Sequence, residues 1–394
     1  VRRAGYINKA ALETPYSIIL DGGSFLTRRA HAREKVDDTE LTAMEQMGYA
    51  AATIGPYDLY MGAPYLMERM EGKDVPLVSA NVFDESTGKL LVEPYVVVER
   101  RGVKFAVTGV IDPGADVRTD RGVESSGVTI GNPVAALEEV VPKMREKADF
   151  VVVLSQLGLT QSKDLPLQIE GIDFIVVGAL STHSAKPFEV EGTVFLQPGQ
   201  RGQDMCDYRL SFDEAGVYQG YTGEAVVLDD KVPADASIAL MLKEHKFEVD
   251  MLYKQRAAEQ AAGSRMAQVH SQTYQESCIG TEGSCRRCHQ QQYEHWSGTA
   301  HAHAYMTLEK GLQASNPECL RCHSTCYIDL PADGSVAVAV ELRNVQCEAC
   351  HGMGTDHARD GTYGAVTGET CLACHDKENS PDFDLATYLP KVTH

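Results

Sequence analysis

Through the first 235 residues, short apolar runs alternate with stretches of helical period. The runs SIIL (17–20), AATIG (51–55), PLVSANV (76–82), KFAVTGVI (104–111), FVVVLS (150–155) and DFIVVG (173–178) have the length and β-branched content of buried strands. Between them, DTELTAMEQMG (38–48) and NPVAALEEVVPKMREKA (132–148) read as helices. The second opens well, with Asn132 as N-cap and Pro133 at the first helical position. This alternation predicts an α/β sandwich. Beyond it the period changes. Ile238, Leu242, His245, Val249 and Leu252 follow 4-3-4-3 spacing, which puts an apolar stripe on one face of a helix over 235–268. That helix reads as a bridge packed on either domain, with a contact stripe for another subunit as the alternative. The expected organisation is an α/β domain over 1–234, a helical connector over 235–270 and a mostly α domain with little regular strand over 271–394.

At 394 residues the chain is long enough for two or three domains, each with its own core. The formal charge of −20, from 56 acidic and 36 basic side chains, argues against nucleic acid and against anionic membrane surfaces as partners. No window approaches 18 consecutive apolar residues, so no membrane-spanning helix is expected. The sequence begins at Val1 and shows no signal-peptide hydrophobic region, as expected if an N-terminal segment is removed or not represented.

Cysteine changes the picture most. Of 11 cysteines only Cys206 precedes residue 278, and eight fall into four C-x-x-C-H pentapeptides: Cys285–Cys288–His289, Cys319–Cys322–His323, Cys347–Cys350–His351 and Cys371–Cys374–His375. Two thiols three positions apart can add to the two vinyl groups of one haem, and the adjoining histidine then lies beneath the iron as its axial ligand. C-x-x-C pairs also build zinc ribbons, but zinc needs no histidine directly after every second cysteine. The expected cofactor is four haem c, with proximal ligands His289, His323, His351 and His375.

Each iron has a sixth position. His270, His295, His301, His303, His357 and His394 are available for it, and His301, His303, His357 and His394 are the preferred distal candidates; each could instead be an ordinary surface or core side chain. His301 and His303 sit in WSGTAHAHAYMTL, which reads as a helix, so residues two apart point to opposite sides and could serve two haems. His357 follows Gly352 and Gly354, which permit a tight turn. Met266, Met306 and Met353 are alternative ligands that would raise the potential. With histidine in excess, bis-histidine iron of low potential is expected. Covalent haem implies an oxidising compartment, where Cys278 and Cys326, which flank the first two motifs, could be bridged; Cys206 reads as a free thiol.

The runs YEHWSGTAHAHAYMTL, ECLRCHSTCY, VQCEACHGMGTDH and CLACHDKENSPDFDLATYLPKVTH resemble the cytochrome c-554 family of tetrahaem proteins over about 275–394. That resemblance implies an electron carrier with stacked haem pairs. Some family haems keep an open sixth position, and Cys326 stands where the family commonly has glycine.

The stretches SIILDGGSF, AMEQMGYAAATIGPYDLYMG, PLVSANVFD, KFAVTGVID, ADFVVVLSQLG and GIDFIVVGALSTHS resemble the 5′-nucleotidase branch of the calcineurin-like metallophosphoesterases over about 1–215. The family binds two metals with Asp, His and Asn at the strand ends. Here Ser24 stands at its bridging Asp, Pro56 and Tyr57 at the Asn and His of its GNHE motif, Gln156 at a strand-end His, and Leu180 and Thr182 at its closing histidines, with His183 one residue out of register. Asp21 and Asp58 remain nearby. On these substitutions the phosphatase-like domain is expected to be inactive and the chain not an enzyme.

Taken together, the sequence predicts electron transfer in an extracytoplasmic, periplasmic or cell-surface setting. Redox proteins or extracellular acceptors are the expected partners, and a homopolymer, with His394 reaching a neighbour, is a further expectation. The alternatives are a multihaem redox enzyme acting on a small nitrogen compound at an open haem and, last, a secreted nucleotidase.

Overall fold

The computed structural model describes the chain apart from residues 15, 28–31, 118–125, 180–185, 199–201, 203, 215–216, 264–277, 328–337, 339, 363, 377–378 and 381, and apart from the side chains of 256–263. It divides into two compact units, Val1–Leu242 and Lys243–His394. The division falls inside a long helix, Ala236–Gly263. Ile238 is buried on that helix, whereas Leu252, at the end of the stripe, is exposed and its neighbour Tyr253 is buried instead. No described helix is long and apolar enough to cross a membrane.

The N-terminal unit is built on two sheets. The larger has six strands in the order β10-β11-β9-β8-β6-β5. Its centre is β6 (Val103–Ile111), β8 (Phe150–Gln156), β9 (Phe174–Val177) and β11 (Thr193–Leu196), all parallel, with β5 (Tyr95–Arg100) and β10 (Phe188–Val190) antiparallel at the edges. Every residue of β8 is buried, which is why FVVVLSQ reads as a continuous apolar run rather than an alternation. The smaller sheet pairs β1 (Ile19–Asp21), β2 (Tyr49–Thr53) and β3 (Leu77–Val78) in parallel. The segment 76–82 is thus not one strand: it contains β3 and then the start of β4 (Val82–Asp84), which pairs elsewhere with β7 (Val128–Ile130). Asn81 makes the break, donating to the carbonyls of Ile111 and Gly131 and accepting from the Ile111 N–H.

Three packed layers of apolar side chains hold the unit together. Ala51 and Val78 of the small sheet meet Val107, Val152 and Leu154 of the large one. The other face of the large sheet is covered by α4 (Pro133–Arg145), through Leu137, Val140, Val141 and Met144, an i, i+3, i+4, i+7 set. Asn132 caps α4, accepting from the N–H groups of Val134 and Ala135 at 2.9 and 3.1 Å. Leu41 and Met44 of α2 (Arg33–Gln46) and Leu66 of α3 (Ala63–Met70) cover the small sheet. The result is a four-layer α/β/β/α sandwich. A hairpin of β12 (Asp204–Phe212) and β13 (Tyr218–Val227) and an N-terminal helix, α1 (Arg2–Glu13), add to it.

The C-terminal unit contains short helices and turns, and among its described residues no named strand. Its apolar cluster is small: Cys278, Tyr305, Leu308, Leu320, Tyr327, Val338 and Leu342. Cys278 and Cys326 are joined in a disulfide.

Leu154 is fully buried between the two sheets. Leu154→Ala is expected to destabilise the N-terminal unit by about 2–5 kcal/mol, read from urea unfolding followed by far-ultraviolet circular dichroism.

Candidate functional site

Two sets of chemistry-bearing residues emerge, one in each unit. In the N-terminal unit the C-terminal ends of β1, β2, β8 and β9 converge, the place where open α/β sheets bind ligands. Close backbone approach makes this possible: a Cβ on Gly178 would lie 2.2 Å from the Gly22 carbonyl oxygen, and one on Gly55 2.2 Å from Ser24 Oγ. Asp58 is fully buried there. Its Oδ2 accepts from the N–H groups of Ser24 and Gly55, each at 2.8 Å, and its Oδ1 from Leu26 at 2.9 Å. Three of its four lone pairs are therefore taken. Burial pushes its carboxyl up to about 7, against the pull of those three donors. Asp21 accepts from the Gly23 N–H, and burial raises its pKa as well. Gln156 donates its side-chain amide to the Gly22 carbonyl. Ser24, Pro56, Tyr57 and Gln156 supply no carboxylate or imidazole, so the described donors do not make a complete two-metal set. Leu180, Thr182 and His183 lie outside the described residues. Among the described residues the one triad of ligating groups is Cys278, Cys326 and Glu348, of which the two cysteines form the disulfide.

In the C-terminal unit each pentapeptide is a helical turn. CEACH is the helix Cys347–His351, CLRCH ends the helix Pro317–His323, CRRCH begins as the 3₁₀ turn Cys285–Arg287, and CLACH begins in the helix Gly368–Leu372. In the first and fourth motifs the N–H groups of Cys288 and Cys374 donate to Cys285 and Cys371 at 3.2 Å, and those of His289 and His375 donate to the same carbonyls at 2.9 Å. Residues three apart in such a turn share a face, so both thiols can reach one planar ring. None of the eight motif cysteines is in a disulfide.

The imidazoles stand opposed in pairs. His289 faces His357 with ring centroids 5.9 Å apart, His375 faces His301 at 6.1 Å, and His351 faces His394 at 5.8 Å. An iron held at the usual ~2 Å from each coordinating nitrogen separates two imidazole centroids by roughly 6 Å, so the residues present fit haem iron between them. Burial holds His301, His351 and His375 below the ordinary imidazole value, hence neutral, the form that offers a lone pair. The remaining proximal residue, His323, gives its Nδ1 proton to the Ala304 carbonyl at 2.8 Å, which leaves Nε2 bare. His375 Nδ1 is hydrogen-bonded to Ser380 Oγ at 3.0 Å. His295 lies 6.2 Å from His394, and His303 is exposed without an opposing ring among the described residues. His270 and Met266 are outside the described residues. His301 and His303 lie in a 3₁₀ turn, Ala300–His303, rather than in an α-helix. His394, exposed at the end of the sequence, has its ring centroid 5.8 Å from that of His351.

Sequence reasoning missed Glu348, a variable position inside CEACH. Its buried carboxylate accepts from the N–H groups of Ile279, Gly280 and Gly354 at 3.1, 2.9 and 2.7 Å. Two glycines among three donors were the signal that could have found it.

Residues 284–352 match the family described as cytochrome c554 and c-prime. The match spans the first three pentapeptides and ends before the fourth. Curated relatives match elsewhere. A 5′-nucleotidase of Vibrio cholerae is 24% identical over 48% of this chain and 36% of its own length. The trifunctional nucleotide phosphoesterase YfkN of Bacillus subtilis is 26% identical over 55% of this chain and 17% of its own. The chain thus spans about a third of the one relative and less than a fifth of the other. Among solved structures, a 5′-nucleotidase precursor from Thermus thermophilus superposes with a TM-score of 0.54 at 21% identity, covering 64% of this chain and 54% of that one. The calcineurin-like phosphoesterase YfkN gives 0.53 at 19%, covering 63% and 88%. The α/β/β/α unit has the calcineurin-like phosphoesterase fold. The expectation that the chain is not an enzyme is corrected by these relatives, which are nucleotidases and phosphoesterases by name. An enzyme is positively indicated. Counting lost ligands at a few positions did not outweigh the kinship of the whole unit.

Asp58 carries a pH signature. Its folded-state value of about 7 lies above the ordinary 3.8, so folding favours its protonated form. The stability it contributes is full below about pH 4 and is lost as the pH rises through about 7. Asp58→Asn, neutral throughout, is expected to flatten that loss. It should also lower stability at pH 4 by about 1–3 kcal/mol, because an amide NH₂ replaces an acceptor. Thermal denaturation across that pH range checks both.

Proposed function

We propose that the C-terminal unit transfers electrons through four covalently bound haems c in an extracytoplasmic setting. The opposed imidazoles at roughly 6 Å carry this reading. Cys285/Cys288, Cys319/Cys322, Cys347/Cys350 and Cys371/Cys374 would hold the porphyrins, and His289, His323, His351 and His375 the irons. His357, His394 and His301 would complete three of them. Bound haem supplies one-electron chemistry. The chain's own residues hold His301, His351 and His375 neutral and anchor Nδ1 of His323 and His375.

Contacts between motif cysteines support that order. Cys285 lies within hydrogen-bond reach of Cys347, Cys322 within reach of Cys374, and Cys350 near enough to Cys371 for their charges to interact. The favoured path therefore runs first, third, fourth, second, not in sequence order. Redox proteins or extracellular acceptors would meet the ends. Bis-histidine ligation keeps such irons low in potential.

A pyridine haemochrome assay is expected to give four haems per chain, retained through denaturing electrophoresis. The double substitution Cys371→Ser, Cys374→Ser should leave three. Two or fewer in the parent protein sinks the assignment.

The relatives favour a second reading for the N-terminal unit, hydrolysis of a nucleotide-type phosphate ester at the strand-end pole beside Asp21 and Asp58. On this reading the purified protein releases inorganic phosphate from a nucleoside monophosphate with added divalent cation, chelation stops it, and the haem count does not change. No release with any of Mg²⁺, Mn²⁺ or Zn²⁺ ends the reading.

A further inference from the structure

Three of the four motif histidines have an imidazole opposite them in their own chain. His323 is the fourth, and among the described residues no ring faces it. Yet His323 is prepared as a ligand. Its Nδ1 is fixed by the Ala304 carbonyl at 2.8 Å, with Thr307 Oγ1 at 3.2 Å, so Nε2 points away from residues 304–307. One residue before Ala304 stands His303, exposed and with no ring contact among the described residues. Among the described residues the unit thus has one motif histidine with no facing imidazole, and His303 is an exposed imidazole with no facing ring.

We infer that His303 of one copy of this chain binds the iron held by His323 of a second copy. The inference rests on the haem reading above and names the partner at its terminal haem. The step is a ligand exchange with no change of oxidation state: a water on the sixth position leaves, and the Nε2 lone pair of His303 takes its place.

His303 of the same chain is poorly placed to supply this bond. The Nδ1 side of His323 leans on Ala304, so His303 lies on the proximal side of that haem, and the free position lies on the opposite face. Donor and acceptor therefore occupy different surfaces. A contact between different surfaces is heterologous, and it repeats from copy to copy into an open chain unless its rotation closes a ring. His303 is also two residues from His301, the ring opposite His375. The bond would thus bring the second haem of one copy beside the ligand turn of the fourth haem of the next. The charge of −20 opposes this self-association at low ionic strength, so salt should strengthen it.

The test uses the haem-loaded protein, its four haems first confirmed by pyridine haemochrome; fewer would end the haem reading itself and be told apart from failure of this one. Sedimentation velocity and electron paramagnetic resonance are followed together on dilution, at low and high salt. The parent is expected to associate with all haems low-spin, and to release one high-spin haem per chain as it dissociates. His303→Ala should keep four haems, remain dissociated and show one high-spin haem of the four at every concentration. Added imidazole should restore its low-spin spectrum without restoring association. Three results overturn the inference: His303→Ala associating with a parent-like spectrum; a high-spin haem persisting in the associated parent; or His270→Ala, not His303→Ala, producing the high-spin haem.

Discussion

A neutral imidazole has one nitrogen to give and one to anchor, and the C-terminal unit is organised around that division. Wherever Nδ1 gives its proton to a carbonyl, as His323 does to Ala304, the bare Nε2 acquires a fixed direction. Ring centroids roughly 6 Å apart match the spacing that two imidazoles on one iron require. The small apolar cluster of the unit fits the same view. Among the described residues few apolar side chains are buried, and a unit of this kind commonly needs something besides its own core, such as a disulfide, metal or cofactor, for stability. The disulfide between Cys278 and Cys326 ties its beginning to the second haem motif.

Both units use the same polar device to fix a turn. Asp58 gathers the N–H groups of Ser24, Gly55 and Leu26. Glu348 gathers those of Ile279, Gly280 and Gly354. A buried carboxylate costs several kcal/mol in desolvation unless donors surround it, and backbone amides are donors that cannot swing away. The consequence differs between the two. Around Glu348 the network holds the third haem motif against the segment leading into the first, which is why those two motifs lie side by side. Around Asp58 it locks the strand ends together and leaves the carboxylate one free lone pair.

A phosphoesterase fold and a cytochrome c554-like segment in one chain raise separate questions. The N-terminal unit has the calcineurin-like phosphoesterase fold, and its relatives are enzymes by name. Ser24, Pro56, Tyr57 and Gln156 change which side chains stand at the pole, but not the pole itself. A fold does not by itself fix a function, so the chemistry of this unit rests on the side chains at that pole.

The sequence by itself determined whatever depends on residues near one another along the chain. The all-buried run of β8 marked a central parallel strand, Asn132 and Pro133 marked the start of α4, and the four pentapeptides marked the paired thiols, because thiol spacing within one helical turn is a local matter. Its misses were long-range. Residues 76–82 look like one strand until Asn81 binds Ile111 and Gly131. Nothing near Glu348 in sequence announces the amides of Ile279 and Gly280. Four histidines, His301, His303, His357 and His394, were preferred as distal candidates, without a partner for any of them. Only the tertiary structure set His357 against His289, His301 against His375 and His394 against His351, and it left His303 and His323 unmatched within the described chain. Pairing across 70 residues depends on how short helices pack, and packing is a property of the folded unit that no local spacing encodes.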